Sequence, residues 1–369
     1  MTAGAPTLLD PPLRATGARI RVLVADDSAF MRTAITRMIE SDSQLLVVGA
    51  AQNGVEALEM AAALNPDVIT LDIEMPRLDG LGVLRRVMEE NPRPVIIVSS
   101  LSQEGAEATL QAFDLGAFDC IPKQLSYASL DIIKIRDHLV AQIKAAAVSR
   151  PRNLRKTSQP DVAEPQPAPA YRGFQRAEVV VIGTSTGGPG ALREIIPALP
   201  ADLAAGVLIV QHMPPGFTGP LAKRLNSLSP IAVHEAADGL ILQSGEVLIA
   251  PAGSHMTVQR AAMGKHVIRI GDEPATTLHK PSVDVTMLSV AEALGAHAMG
   301  VILTGMGSDG ARGMAAIHER GGITVGQDEA TSVVYGMPRA CAERRILRRV
   351  VPLGSVSAEI IAATRNPRP

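Results

Sequence analysis

The chain has 369 residues, a formal net charge of -2, 46% hydrophobic residues, 2% aromatics and no Trp. This length exceeds one average core and predicts two domains, while the near-neutral charge removes the electrostatic reason to expect nucleic acid or an anionic lipid surface as a partner. Its two cysteines, Cys120 and Cys341, lack a C-x-x-C spacing, which excludes a disulfide framework and a cysteine-rich zinc site.

No run approaches the ~18–20 apolar residues of a spanning helix. The N-terminus also lacks a basic flank ahead of an apolar core, so a cytoplasmic protein with no membrane insertion is expected. Residues 1–18 read as a tail. From residue 20, the apolar runs I-R-V-L-V-A, L-L-V-V-G-A, V-I-T-L-D, P-V-I-I-V-S-S and F-D-C-I-P alternate with amphipathic segments. This is a βα repeat with a five-stranded parallel sheet, over residues 19–141. In the first helical segment Phe30, Met31, Ala34, Ile35, Met38 and Ile39 recur at three-to-four spacing and predict one buried face, with Arg32, Thr33, Thr36 and Arg37 opposite. Residues 142–176 form a Pro-rich linker, because prolines from Pro151 to Pro169 break any apolar periodicity. A second α/β domain is predicted over 177–366. Its strand candidates are 178–182, 206–210, 246–250, 267–270, 300–304 and 322–326, arranged as a doubly wound, mainly parallel, Rossmann-like sheet.

In the first domain Asp26 and Asp27 end the first strand and Asp72 ends the third. Right-handed βα topology brings the three carboxylates to one sheet edge, where they suit Mg²⁺, a hard octahedral ion that also bridges to phosphate oxygens. Asp72 could then attack a phosphodonor. Ser99 could hydrogen-bond the new phosphoryl group, and Lys123 could pair with its charge. An Asp pair alone reads more readily as a helix cap. The ordered set D-D, D-x-x-M-P-x-x-D-G, V-S-S and Lys resembles the response-regulator receiver domain over residues 20–140, a flavodoxin-like fold. The resemblance implies Asp72 as phospho-acceptor, Asp26 and Asp27 as metal carboxylates, and Ser99 and Lys123 as the switch pair. One departure is I-P-K-Q, which places Pro122 before Lys123 and Gln124 after it, where receivers usually have Lys followed by Pro.

In the second domain Gly183-Thr184-Ser185-Thr186-Gly187 fits G-x-S-x-G, whose small flanks permit the sharp turn that exposes a nucleophilic serine. Pro189 suits the first turn of the following helix, so amides near Ser185 and Thr186 would favour a developing oxyanion. A phosphate-binding loop is the rival reading, but the Lys-Ser/Thr of a P-loop is missing and the spacing is not G-x-G-x-x-G. For the base, His212 follows G-V-L-I-V-Q at the next strand end. His255 and His279 are rivals, while His138, His234, His266, His297 and His318 read as ordinary surface or core residues. For the orienting acid, Asp309 in G-M-G-S-D-G closes a later strand, and Asp284 reads as an early-turn charge of a helix.

Together, G-T-S-T-G-G-P, Q-H-M-P-P-G-F-T, L-T-G-M-G-S-D-G and the receiver-like N-terminus resemble the chemotaxis protein-glutamate methylesterases. The resemblance implies hydrolysis of glutamate γ-methyl esters on methyl-accepting chemotaxis receptors, with deamidation of receptor glutamines, and activation by a histidine kinase. It assigns Ser185, His212 and Asp309 as a triad and the backbone N–H of Met306 as an oxyanion donor. In the unphosphorylated state the receiver is expected to cover the Ser185 cleft. Three alternatives remain at this point: the same chemistry in a receptor array unrelated to swimming, a receiver-controlled interaction module without catalysis, or a nucleotide-binding α/β domain.

Overall fold

A computed structural model describes residues 18–100, 102–123, 129–149, 171 and 173–365. The expected tail, Gln124 and most of the expected linker lie outside these residues. In the N-terminal domain the strands are β1 (Ile20–Ala25), β2 (Leu45–Ala51), β3 (Val68–Asp72), β4 (Val95–Ser99) and β5 (Asp119–Pro122). They alternate with α1 (Ala29–Glu40), α2 (Gly54–Leu64), α3 (Gly80–Glu90), α4 (Gln103–Asp114) and α5 (Ser129–Val148). The sheet is parallel in the order β2-β1-β3-β4-β5. This doubly wound order reverses direction between β1 and β3, the place where ligands gather beyond the strands' carboxyl ends. The α5 helix continues through Val148, past the expected start of the linker.

The predicted face of α1 is corrected at one residue. Ile35, Met38 and Ile39 are buried, but Phe30 is 63% exposed. Phe30 is the second residue of the helix, so it has the right period but lies at the exposed start of α1.

The C-terminal domain contains β6 (Val179–Thr184), β7 (Gly206–Gln211), β8 (Ala232–Glu235), β9 (Glu246–Ile249), β10 (His255–Arg260), β11 (His266–Gly271), β12 (Ala298–Ile302), β13 (Ile323–Gln327) and β14 (Arg349–Val351). Its helices are α6 (Gly188–Ile195), α7 (Thr218–Leu228), α8 (Val283–Leu294), α9 (Ala311–Glu319), α10 (Met337–Glu343) and α11 (Val356–Thr364). Seven strands form a parallel sheet in the order β14-β13-β12-β6-β7-β9-β8, and β10 and β11 form a separate antiparallel ribbon. β6, β7 and β12 are buried along their whole length, as expected of strands covered on both faces. Strands β8, β10 and β14 were not among the sequence candidates.

Tyr171 is fastened to this domain, its hydroxyl donating to buried Glu359 of α11, which also pairs with Arg349 Nε at 2.9 Å. Phe174 beside it lies under the Arg348 guanidinium, 4.6 Å from the ring centre.

The two domains touch through α4 and the β5–α5 side of the first and α6 and α7 of the second. Asp114, at the end of α4, pairs with Arg193 of α6 at 2.8 Å and with Arg224 of α7. Val333 and Val334 pack against the apolar cluster that contains Phe118. Among the described residues, no helix is long and apolar enough to cross a membrane.

Candidate active site

The central strand β6 delivers Ser185 one residue past its carboxyl end, and neighbouring β7 delivers His212 in the same way. Parallel pairing of adjacent strands therefore converts a sequence separation of many residues into proximity at one edge. Both side chains line a single cavity of about 150 Å³. The turn at Ser185 is held from three sides. Its amide donates to Thr304 O at 3.1 Å, its carbonyl accepts from Gln211 Nε2 at 3.0 Å, and Gly187 caps α6 with a φ of 77°, a region that favours glycine.

His212 Nε2 lies 2.9 Å from Asp309 Oδ2. Asp309 also accepts from the amides of Val283 at 2.8 Å and Asp284 at 3.0 Å, and from the Ser282 hydroxyl at 2.9 Å, all at the start of α8. Burial by itself would raise this carboxyl. The His212 hydrogen bond, the His212 charge and the α8 amides outweigh it and hold Asp309 well below the carboxylate range. With Nε2 committed to Asp309, the buried His212 Nδ1 has no hydrogen-bond partner among the described residues.

The rival histidines separate cleanly. His279 stacks on His212, with ring centres 4.0 Å apart and planes at 17°, and it lines the same cavity. Burial, followed by the neighbouring His212, brings His279 down to about 4, so it stays neutral near pH 7. His255 comes after β9, as expected, and is itself the first residue of β10. Its Nδ1 accepts the Ser282 amide at 3.1 Å, which steadies the loop ahead of α8. Asp284 accepts from the amides of Arg312 and Gly313, both at 2.9 Å, and so caps α9 instead of facing His212.

Met306 follows Gly305, where a Cβ would come within 2.9 Å of Ser185 Cβ, so only glycine lets this loop lie against Ser185. The Ser185 amide is already used, but neither the Thr186 nor the Met306 amide donates a hydrogen bond among the described residues. The Thr186 hydroxyl donates to Asp119 Oδ2 of β5. Sequence reasoning assigned no role to Asp119 or Gln211, and it set His138 aside as ordinary. The structure places all three on the wall of the cavity with Phe113, Cys120 and Gln142. For Gln211 a signal was present, since it directly precedes His212 in the same strand-end run.

At the other sheet edge, ligand atoms of Asp26, Asp27 and Asp72 lie within 4.8 Å of one another. Lys123 Nζ is 2.6 Å from Asp72 Oδ2 and 3.1 Å from Asp26 Oδ2. Burial pushes Asp72 up to about 6, against the Lys123 interactions that lower it. One ammonium facing three carboxylates leaves a local excess of negative charge, and an all-oxygen donor set fits a hard divalent cation such as Mg²⁺. The Ser99 hydroxyl points to Gly105 O at 3.2 Å and Ser100 O at 3.3 Å, toward the start of α4.

The CheB methylesterase family matches residues 180–360, and the response regulator receiver domain family matches residues 22–133. A protein from Symbiobacterium thermophilum named protein-glutamate methylesterase/protein-glutamine glutaminase is 49% identical over 356 residues, covering 93% of this chain and 97% of that protein. A protein of the same name from Pyrococcus abyssi is 45% identical over 349 residues, covering 94% of each. The crystal structure of the Thermotoga maritima CheB methylesterase catalytic domain is 40% identical and covers 51% of this chain and 98% of that one, with a TM-score of 0.49.

Proposed function

We infer that this chain, which belongs to the CheB methylesterase family, hydrolyses glutamate γ-methyl esters on methyl-accepting chemotaxis receptors in the cytoplasm, deamidates receptor glutamines at the same site, and is switched on by phosphorylation of Asp72 from a chemotaxis histidine kinase. The observation that carries this reading is a serine at a sharp strand-end turn sharing one cavity with a His212–Asp309 pair at 2.9 Å.

In the mechanism, Ser185 Oγ attacks the ester carbonyl while His212 Nδ1 takes its proton. Asp309 fixes the tautomer by accepting from Nε2 and steadies the imidazolium. The oxyanion is held by the Met306 and Thr186 amides, and one such donor is worth about 2.7–4 kcal/mol. Collapse of the tetrahedral intermediate breaks the bond to the methoxy oxygen, which leaves as methanol with the proton from His212. Water, deprotonated by His212, then attacks the acyl-enzyme and releases the glutamate carboxylate and free Ser185. A glutamine follows the same route with ammonia as the leaving group.

Control comes from the wall contributed by the N-terminal domain. A cavity of about 150 Å³ accommodates a side chain but not a receptor helix, so the closed arrangement excludes the protein substrate. Asp26, Asp27 and Asp72 are the carboxylates that would hold Mg²⁺, which when bound supplies positive charge for the incoming phosphoryl oxygens. Lys123 pairs with the added charge, about -1.5 to -2 at neutral pH. Ser99 bridges the site to the start of α4, and α4 bears on α6 and α7. Loss of closure then exposes Ser185.

The test is methanol release from methylated receptor membranes by wild type and Ser185→Ala, each with and without a small phosphodonor plus Mg²⁺. Release that rises with phosphodonor and vanishes in Ser185→Ala supports the reading; release that survives in Ser185→Ala refutes it.

A further inference from the structure

The interdomain contact includes apolar packing around Phe113, Val333 and Val334 and the partly exposed pairs of Asp114 with Arg193 and Arg224. Asp119 differs from both. It sits at the start of β5 on the wall of the Ser185 cavity, where Oδ1 accepts its neighbouring Cys120 amide at 2.8 Å and Oδ2 accepts the hydroxyl of Thr186, the residue after the nucleophile. His138 and Gln142 on the same wall also face it, so its surroundings are hydroxyl, amide and imidazole groups rather than a guanidinium or ammonium. Placing a half-buried carboxylate against such donors costs desolvation that they offset only in part. The carboxyl group at this position therefore calls for a reason beyond closure.

We propose that Thr186 Oγ is the specificity-determining donor for the γ-carboxyl group of the receptor glutamate, and that Asp119 is an internal stand-in for that group in the closed state. This rests on the methylesterase reading of Ser185. A hydroxyl both donates and accepts. The same Thr186 oxygen therefore donates to either oxygen of the ester, accepts from the amide nitrogen of a glutamine, and donates to the product carboxylate. Asp119 presents the product's functional group on a side chain one methylene shorter. It needs no diffusion to bind, since it arrives with the domain. Closure is thus competition for a substrate subsite as well as coverage of the cleft, and substrate and N-terminal domain contend for one hydrogen-bond donor. One hydrogen bond of this kind contributes about 1 kcal/mol net, enough for its loss to open the cleft several-fold and small enough for the activating signal to displace it.

The experiment uses the full-length chain without phosphodonor and follows methanol release from methylated receptor membranes, with acetyl-glutamate-amide as a soluble γ-carboxylate inhibitor. Asp119→Ala is expected to raise the unstimulated rate at least about fivefold, while Asp119→Asn, which can still accept from Thr186, stays near wild type. Within the Asp119→Ala background, Thr186→Val is expected to raise KM and the inhibitor Ki about tenfold with a smaller change in kcat, and Thr186→Ser to restore both. KM and Ki within twofold of the parent for Thr186→Val would overturn the subsite. Equal unstimulated rates for Asp119→Ala and Asp119→Asn would overturn the stand-in, and this arm decides alone if Thr186→Val does not fold. Failure of the underlying esterase reading shows separately, as release that persists in Ser185→Ala.

Discussion

Two carboxylates, Asp72 at the end of β3 and Asp309 in the loop between β12 and α9, both lie on the carboxyl-end side of a parallel sheet, yet their surroundings push them in opposite directions. Asp72 is buried among other acids with a single lysine, and burial raises it to about 6. Asp309 is also buried, but it meets His212 and the amides at the start of α8 and stays anionic far into acid. Sheet topology supplies the location in both cases. The loops decide whether the acid there sits among other acids or is held as a permanent charge, which is what suits each to the role proposed for it.

The harshest way to break this contrast is Asp309→Asn. The anion is lost, the imidazole tautomer is no longer fixed, and kcat for methanol release should fall by about 10⁴-fold, read in single-turnover assays. The corresponding change in the other domain, Asp72→Asn, should act in the opposite sense on stability. The folded-state value is raised, so between about 4 and 6 the folded chain retains a proton that the unfolded chain has released, and stability from this group falls as pH rises through that window. Asp72→Asn in EDTA at pH 7.5 should therefore raise unfolding stability, by up to about 3 kcal/mol, and abolish stimulation by phosphodonor. A lowered denaturation midpoint would contradict this.

His279 sharpens the comparison as a buried base beside the held anion. Its folded-state value is depressed to about 4, so between 6.5 and 4 the unfolded chain binds the extra proton and stability drops as pH falls. Discounted for partial exposure, the loss is about 1–2 kcal/mol, and His279→Gln should flatten the stability profile over that range in urea titrations. The smallest effect expected is that of Asp114→Ala, which removes two partly exposed ion pairs of about 0.2–1 kcal/mol each between the regions. Unstimulated methanol release should rise a few-fold, and the phosphodonor-stimulated plateau should not change.

Much of this arrangement was legible in the sequence because parallel strands carry their chemistry at their ends. An apolar run followed by D-D, by G-T-S-T-G or by Q-H names both a strand and a candidate site residue. What escaped had weaker or longer-range signals. β8 buries Val233 alone among its four residues, β10 pairs only within a ribbon and carries polar residues, and β14 has three residues. The choice among His212, His255 and His279 needed the packing of β7 against β6 and the stacking of one ring on another. Asp119 could not be assigned, because its partner Thr186 lies in another domain and hydrophobic period says nothing about which faces dock.

The fastening of Tyr171 and Phe174 to the C-terminal domain has one last consequence. The covalent connection between the domains effectively begins at that anchor, so only residues 149–170 separate it from the end of α5. A released receiver therefore recloses in a unimolecular step. The balance between open and closed enzyme should not shift with how much of the protein a cell makes, and a cell whose expression fluctuates would keep the same resting demethylation rate per molecule.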